Sequence, residues 1–193
     1  MKKVVLLLAA VLLSLSAMAQ VRFGAKVGFD MTNFWGKDVK HGFQPNYQVG
    51  ALMEYKFNNR FAISPEVVFA AQGGKNKYTE ALSGAEVKQT YTTNYINVPV
   101  MLKFYATDKF SIDLGPQVGF NVYSKRTEEG VTKETKDIKD QTKTVDFGVG
   151  LGATYDITEN AFVQARYTLG LTETFEHAKA KNGNIQVAFG WKF

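Results

Sequence analysis

The chain contains no cysteine, only two histidines and four prolines, and no long unbroken apolar run beyond Leu13. Without cysteine there is no disulfide, no thiolate metal site and no lipid anchor on a modified N-terminal cysteine. His41 and His177 lie far apart in sequence, a poor start for a metal site. An excess of one charge is lacking as well. The 23 basic and 18 acidic residues give a net +5, two of whose positive charges are Lys2 and Lys3, and no basic block stands out. So mixed a surface gives no support to nucleic-acid binding. Nor is there a cofactor fingerprint, because the glycines at 148, 150 and 152 are followed by no helical pattern. No cofactor is expected.

The one concentrated apolar stretch is at the start. Lys2 and Lys3 precede the run Val4 to Leu13, and Ala17-Met18-Ala19 follows it. A positive head, a short apolar run and a small-x-small triplet form a secretory signal peptide, with cleavage expected before Gln20. A membrane-spanning helix needs roughly 20 apolar residues, more than this run supplies. The expected organisation is a signal peptide over 1–19 and a single domain over 20–193.

From Val21 onward apolar residues alternate with polar or small ones in eight stretches of about ten residues, the period-two signature of strands whose faces meet different surroundings. Val27, Phe29 and Met31, for example, alternate with Lys26, Gly28 and Asp30, and Val163, Ala165, Tyr167 and Leu169 with Gln164, Arg166 and Thr168. The connections near 58–60, 106–109 and 158–160 are short, whereas 32–43, 73–88, 125–141 and 173–182 are long and polar. An even strand count with short turns on one rim and long loops on the other is the plan of an outer-membrane barrel. The predicted fold is all-β: an eight-stranded antiparallel up-and-down transmembrane β-barrel.

Alternation alone does not say which face points inward. Glycine decides, because ten of the 17 glycines fall on the non-apolar face. Glycine weakens a strand unless space is short, and the interior of an eight-stranded barrel is only wide enough for side chains to fill it. The polar, glycine-rich face is therefore predicted to line the lumen. The aliphatic and aromatic face would aggregate in water and suits hydrocarbon.

The segment Tyr95-Ile96-Asn97-Val98-Pro99-Val100-Met101-Leu102-Lys103-Phe104-Tyr105 resembles a strand of the PorT-like porin-family barrels, grouped as the outer membrane protein β-barrel domain. Gly115-Pro116-x-x-Gly119, Asp146-Phe147-Gly148-x-Gly150-x-Gly152 and Arg166-Tyr167-x-x-Gly170-Leu171 are similar to the family's later strands. The resemblance covers the whole mature chain and implies residence in a Gram-negative outer membrane, with no defined activity. The ending Phe189-x-Trp191-x-Phe193 is similar to the C-terminal signal that the barrel-assembly machinery reads, and it is equally the lipid-facing end of a last strand.

The candidate chemistry is the inner face, which carries Arg22, Lys26, Asp30, Glu54, Lys56, Glu66, Lys103, Asp113, Asp146 and Arg166. Charges at membrane depth can mark a pore or proton path. In so narrow a barrel, five of each sign point instead to a paired network that plugs the lumen. His41, Asp38 and a loop serine such as Ser83 could be drawn as a catalytic triad, but no nucleophile motif accompanies them and no enzyme is expected. The charged run from Lys125 to Lys143 could meet lipopolysaccharide phosphates or a protein partner, though its simplest reading is a solvated extension of two strands. The expected role is structural or interactive; a narrow-pore transporter and a soluble periplasmic carrier with an apolar cavity are the alternatives.

Overall fold

The computed structural model describes residues 20–36, 42–79, 86–129, 133–175 and 180–193, so the expected signal peptide lies outside the described residues. Eight strands form the barrel: β1 (Val21–Trp35), β2 (Gln44–Lys56), β3 (Phe61–Thr79), β4 (Glu86–Tyr105), β5 (Phe110–Glu129), β7 (Val145–Asp156), β8 (Ala161–Gly170) and β9 (Lys181–Lys192). A short β6 (Lys133–Asp137) lies between β5 and β7 in sequence and pairs only with the outer end of β5. Each barrel strand pairs antiparallel with the next, and the ring closes where β9 joins β1, with Val27 opposite Phe189 and Phe29 opposite Val187. Closure satisfies the strand edges, which hydrocarbon cannot do.

The alternation read from sequence maps onto the two faces. Val27, Phe29, Val67, Leu114, Leu151 and Val187 point outward, Phe29 being 81% exposed. Lys26, Asp30, Glu54, Glu66 and Arg166, in the opposite phase, are almost wholly buried. An apolar exterior around a polar interior inverts the usual soluble arrangement and fits a bilayer.

Three four-residue turns close one rim by the same device. The Oδ1 of Asn58 accepts the backbone N–H groups of Arg60 and Phe61, at 2.8 and 2.9 Å. Thr107 accepts from Lys109 and Phe110, and Thr158 from Asn160 and Ala161. A short polar side chain thus turns the backbone without help from glycine. Tyr55, Phe57, Phe61, Phe104, Phe110, Tyr155, Trp191 and Phe193 ring this rim, with the Tyr55 and Phe57 rings edge-on at 5.1 Å.

The opposite rim corrects the sequence reading. The stretch 73–88 was expected as a loop, yet β3 and β4 stay paired out to Thr79 opposite Glu86. β4 and β5 likewise stay paired to Lys88 opposite Glu129, past an irregularity at Asn94/Tyr95. Tyr78, Thr79 and Val87 within the stretch 73–88, and Thr90 to Thr93 just after it, are β-branched or aromatic and suit strands. Polarity marked where the apolar face stops, not where pairing stops. The run from Lys125 continues β5 and returns through β6, as the simpler reading of it anticipated.

Candidate functional site

The inner face holds one connected set of polar side chains. Glu66 on β3 accepts two hydrogen bonds from the Arg166 guanidinium of β8, at 2.7 and 2.9 Å, and one from Lys26 of β1 at 2.6 Å. Lys26 also donates to the Gln164 side-chain oxygen at 2.9 Å, while the amide of Gln164 reaches Asp113 on β5 at 3.3 Å. Asp113 further accepts from Ser111 at 2.7 Å and from Thr154 of β7 at 2.5 Å. Lys103 on β4 lies 3.8 Å from Asp113 and 3.2 Å from Glu54 on β2. Glu54 also takes the Tyr105 hydroxyl at 2.9 Å and Lys192 of β9 at 3.2 Å, and Lys192 bridges on to Asp156 at 2.9 Å. All eight barrel strands contribute to this chain of contacts. Buried ions are tolerable only with such compensation, because removing one partner costs about 3–5 kcal/mol.

Of the ten charges read from sequence, Lys26, Glu54, Glu66, Lys103, Asp113 and Arg166 meet in this network. Arg22 is not inside: it is exposed at the start of β1 and donates to the Glu159 carbonyl of a rim turn at 2.7 Å. Alternation gives the phase of a residue but not its depth, and Arg22 stands at the strand's edge. Lys56, half-buried near the same rim, sits over the Tyr105 ring at 4.2 Å. Asp30 and Asp146 occupy the other half of the lumen. Asp30 accepts from the amides of Gln48 at 2.8 Å and Asn184 at 3.4 Å. Asp146 accepts from Asn182 at 2.6 Å and from the Thr172 hydroxyl.

Beyond the charges named from sequence the network holds six more side chains: Lys192, Asp156, Tyr105, Gln164, Ser111 and Thr154. Lys192 and Asp156 are in phase with the inner residues of their strands, so alternation could have found them, but they stand beside aromatic strand ends that read as rim. Gln164 needed geometry, since nothing in sequence shows that it joins two ion clusters. Toward the long-loop rim the rings of Phe34, Tyr91 and Phe175 cluster, with Phe34 edge-on to Phe175 at 5.3 Å. The imagined triad falls on His41, Asp38 and Ser83, all outside the described residues, as is His177. Phe189, Trp191 and Phe193 all point to the lipid side of β9, and the Phe193 N–H bonds the Phe23 carbonyl at 2.7 Å.

A closed ring of eight strands with apolar outside and ion-paired inside defines the chain as a small membrane β-barrel. The model of the outer membrane protein beta-barrel domain matches residues 16–176, and the chain belongs to that family. Its place is the cell outer membrane, which removes the soluble carrier as an alternative. Among solved structures it is similar to Ail, the attachment invasion locus protein of Yersinia pestis, at 14% identity over 90% of this chain and 99% of that one, with a TM-score of 0.52. Ail is also known in complex with the heparin analogue sucrose octasulfate, and that structure is similar with a TM-score of 0.50. Neisserial surface protein A is similar at 14% identity over 89% of this chain and 97% of that one, with a TM-score of 0.52. At these identities the likeness is one of fold. No curated protein matches the chain.

Proposed function

We propose that this protein is a non-enzymatic structural and interaction barrel whose lumen is plugged by its paired charges. The supporting observation is the run of contacts from Asp156 through Lys192, Glu54, Lys103, Asp113, Gln164 and Lys26 to Glu66 and Arg166, which draws on every barrel strand. An eight-stranded barrel has an interior that side chains fill, and long cations anchored to carboxylates across it leave no continuous water path. The same contacts tie distant strands together and fix their register.

Interaction falls to the outer hairpins. The β5–β6 extension interleaves Lys125, Arg126, Lys133 and Lys136 with Glu128, Glu129, Glu134 and Asp137. Such a surface suits lipopolysaccharide, whose phosphates can meet the cations, or a protein partner of mixed charge; a polysulfate such as the ligand of Ail would meet the carboxylates too. In this reading residues 1–19 are removed on export, the barrel-assembly machinery reads Phe189, Trp191 and Phe193, and the Tyr95–Lys103 strand favours the PorT-like branch of the family.

Single-channel recording of the purified protein in planar bilayers tests the plug. The expected trace is closed at physiological voltages. Steady ion conductance abolished by reversing Glu66 or Arg166 would replace the plug with a narrow pore.

A further inference from the structure

The two halves of the lumen differ in charge balance. Around Glu54 and Glu66 each carboxylate has a cation in contact, whereas Asp30 and Asp146 form no ion pair among the described residues. Their partners are amides and a hydroxyl. Asn184 turns its nitrogen to Asp30, and Asn182 turns its nitrogen to Asp146. With its donor end committed, Asn184 is left presenting its oxygen, Oδ1, and that atom has no hydrogen-bond partner among the described residues. The Thr168 hydroxyl, equally buried, has none either.

These groups line one small cavity, shared by Gln72, Gln117, Asp146, Thr168, Asn182 and Asn184, with room for about a single water-sized occupant. Its wall is thinned by Gly148 and Gly170, which face each other across β7 and β8. A Cβ on Gly170 would come within 2.8 Å of the Asn182 carbonyl oxygen, so any side chain there would press on the cavity's own lining. The site is thus oxygen-rich, carries one carboxylate with a second one hydrogen bond away, and has no basic side chain among the described residues that line it.

We infer that this cavity is a binding site for one small monovalent cation of the sodium type, held by the Asp146 carboxylate and by neutral side-chain oxygens including those of Thr168 and Asn184. A lone carboxylate among neutral oxygens matches a single positive charge. Calcium takes six to eight oxygens, usually several of them from carboxylates, and magnesium demands a near-ideal octahedron. The cation would offset the negative charge of this half of the lumen, as the lysines and Arg166 do in the other.

The test is the heat-modifiability midpoint of the full mature barrel in detergent, measured in sodium chloride and in choline chloride at equal ionic strength. A ligand that binds only the folded form raises stability with the logarithm of its concentration. The expected midpoint therefore climbs about 3 to 5 °C for each tenfold rise in sodium above the dissociation constant. Asp146→Asn removes that increment, and Thr168→Val, which keeps shape and charge, reduces it if the first variant folds poorly. Superimposed midpoints in the two salts would overturn the site in favour of a bound water, and a rise produced by millimolar calcium but not by sodium would overturn its monovalent character. Conductance plays no part in this readout, so its outcome is separate from that of the plug.

Discussion

Glu66 and Arg166, a hundred residues apart in sequence, meet across the lumen in a two-point bridge of 2.7 and 2.9 Å. Lys26 completes the grip on Glu66 from a third strand at 2.6 Å. The three residues are not equivalent. Removing Glu66 strands two buried cations, whereas removing Arg166 leaves Glu66 held by Lys26. Glu66→Gln is therefore expected to cost about 3–5 kcal/mol and Arg166→Gln distinctly less, since only an orphaned buried charge carries the full penalty. Denaturant unfolding in detergent, followed by tryptophan fluorescence, measures both. Equal losses would mean that Lys26 does not share the load.

The far end of the network separates assembly from stability. Lys192 holds Glu54 and Asp156 from inside the last strand, while Phe193, its neighbour, faces outward. Lys192→Met should lower the unfolding midpoint of the finished barrel yet leave its delivery to the outer membrane unchanged, because the outward aromatics are intact. Phe193→Ala should do the reverse: precursor accumulates in the periplasm, and the fraction that inserts unfolds near the normal midpoint. Fractionation with gel mobility before and after boiling reads both.

How much of this was legible in sequence depends on what each feature rests on. The strands and their faces were, because the period of two is written residue by residue and glycine placement told inside from outside. The membership of Lys26, Glu66 and Arg166 in the inner set followed from phase alone. Who pairs with whom did not, since the two cations that hold Glu66 stand on β1 and β8, neither of them next to β3, and only register and barrel closure bring them to it. Arg22 shows the complementary limit: right phase, wrong depth. The hairpin extensions were missed because a polar strand that has left the bilayer looks like a loop when hydrophobicity is the signal, although Thr90 to Thr93 carried a propensity cue that pointed the other way.

Two inner-face glycines should respond differently to the same substitution. A Cβ on Gly190 would collide with the Phe162 ring, a large side chain with little freedom in the buried rim. A Cβ on Gly150 would meet no atom closer than Arg166 Cδ at 3.3 Å, the Met101 methyl at 3.4 Å and the Thr168 hydroxyl at 3.6 Å. Overpacking a tight site costs about 1–3 kcal/mol, so Gly190→Ala should fall in that range and Gly150→Ala well below it. Adding Phe162→Leu to Gly190→Ala should recover much of the loss. If the double variant is no better than the sum of its parts, the ring is not what makes position 190 intolerant.

Leu151 on β7 lies opposite Tyr167 on β8, one residue from Arg166. At this height a cation is therefore already present, inside the barrel and bound to Glu66. Leu151 itself points outward, 55% exposed, while Phe57 occupies a rim turn. Arginine on the lipid face costs about 2–4 kcal/mol at the bilayer midplane and about 0–1 near the interfaces. Leu151→Arg is accordingly expected to destabilise the barrel in lipid vesicles by the larger amount and Phe57→Arg by the smaller, as read from denaturant titrations. In a micelle, which deforms around a charge more readily than a bilayer, the gap between the two should narrow. A vesicle result in which both variants cost the same would mean that Leu151 does not face the hydrocarbon core, and the face assignment of β7 would have to be revised even though its pairing with β8 stood.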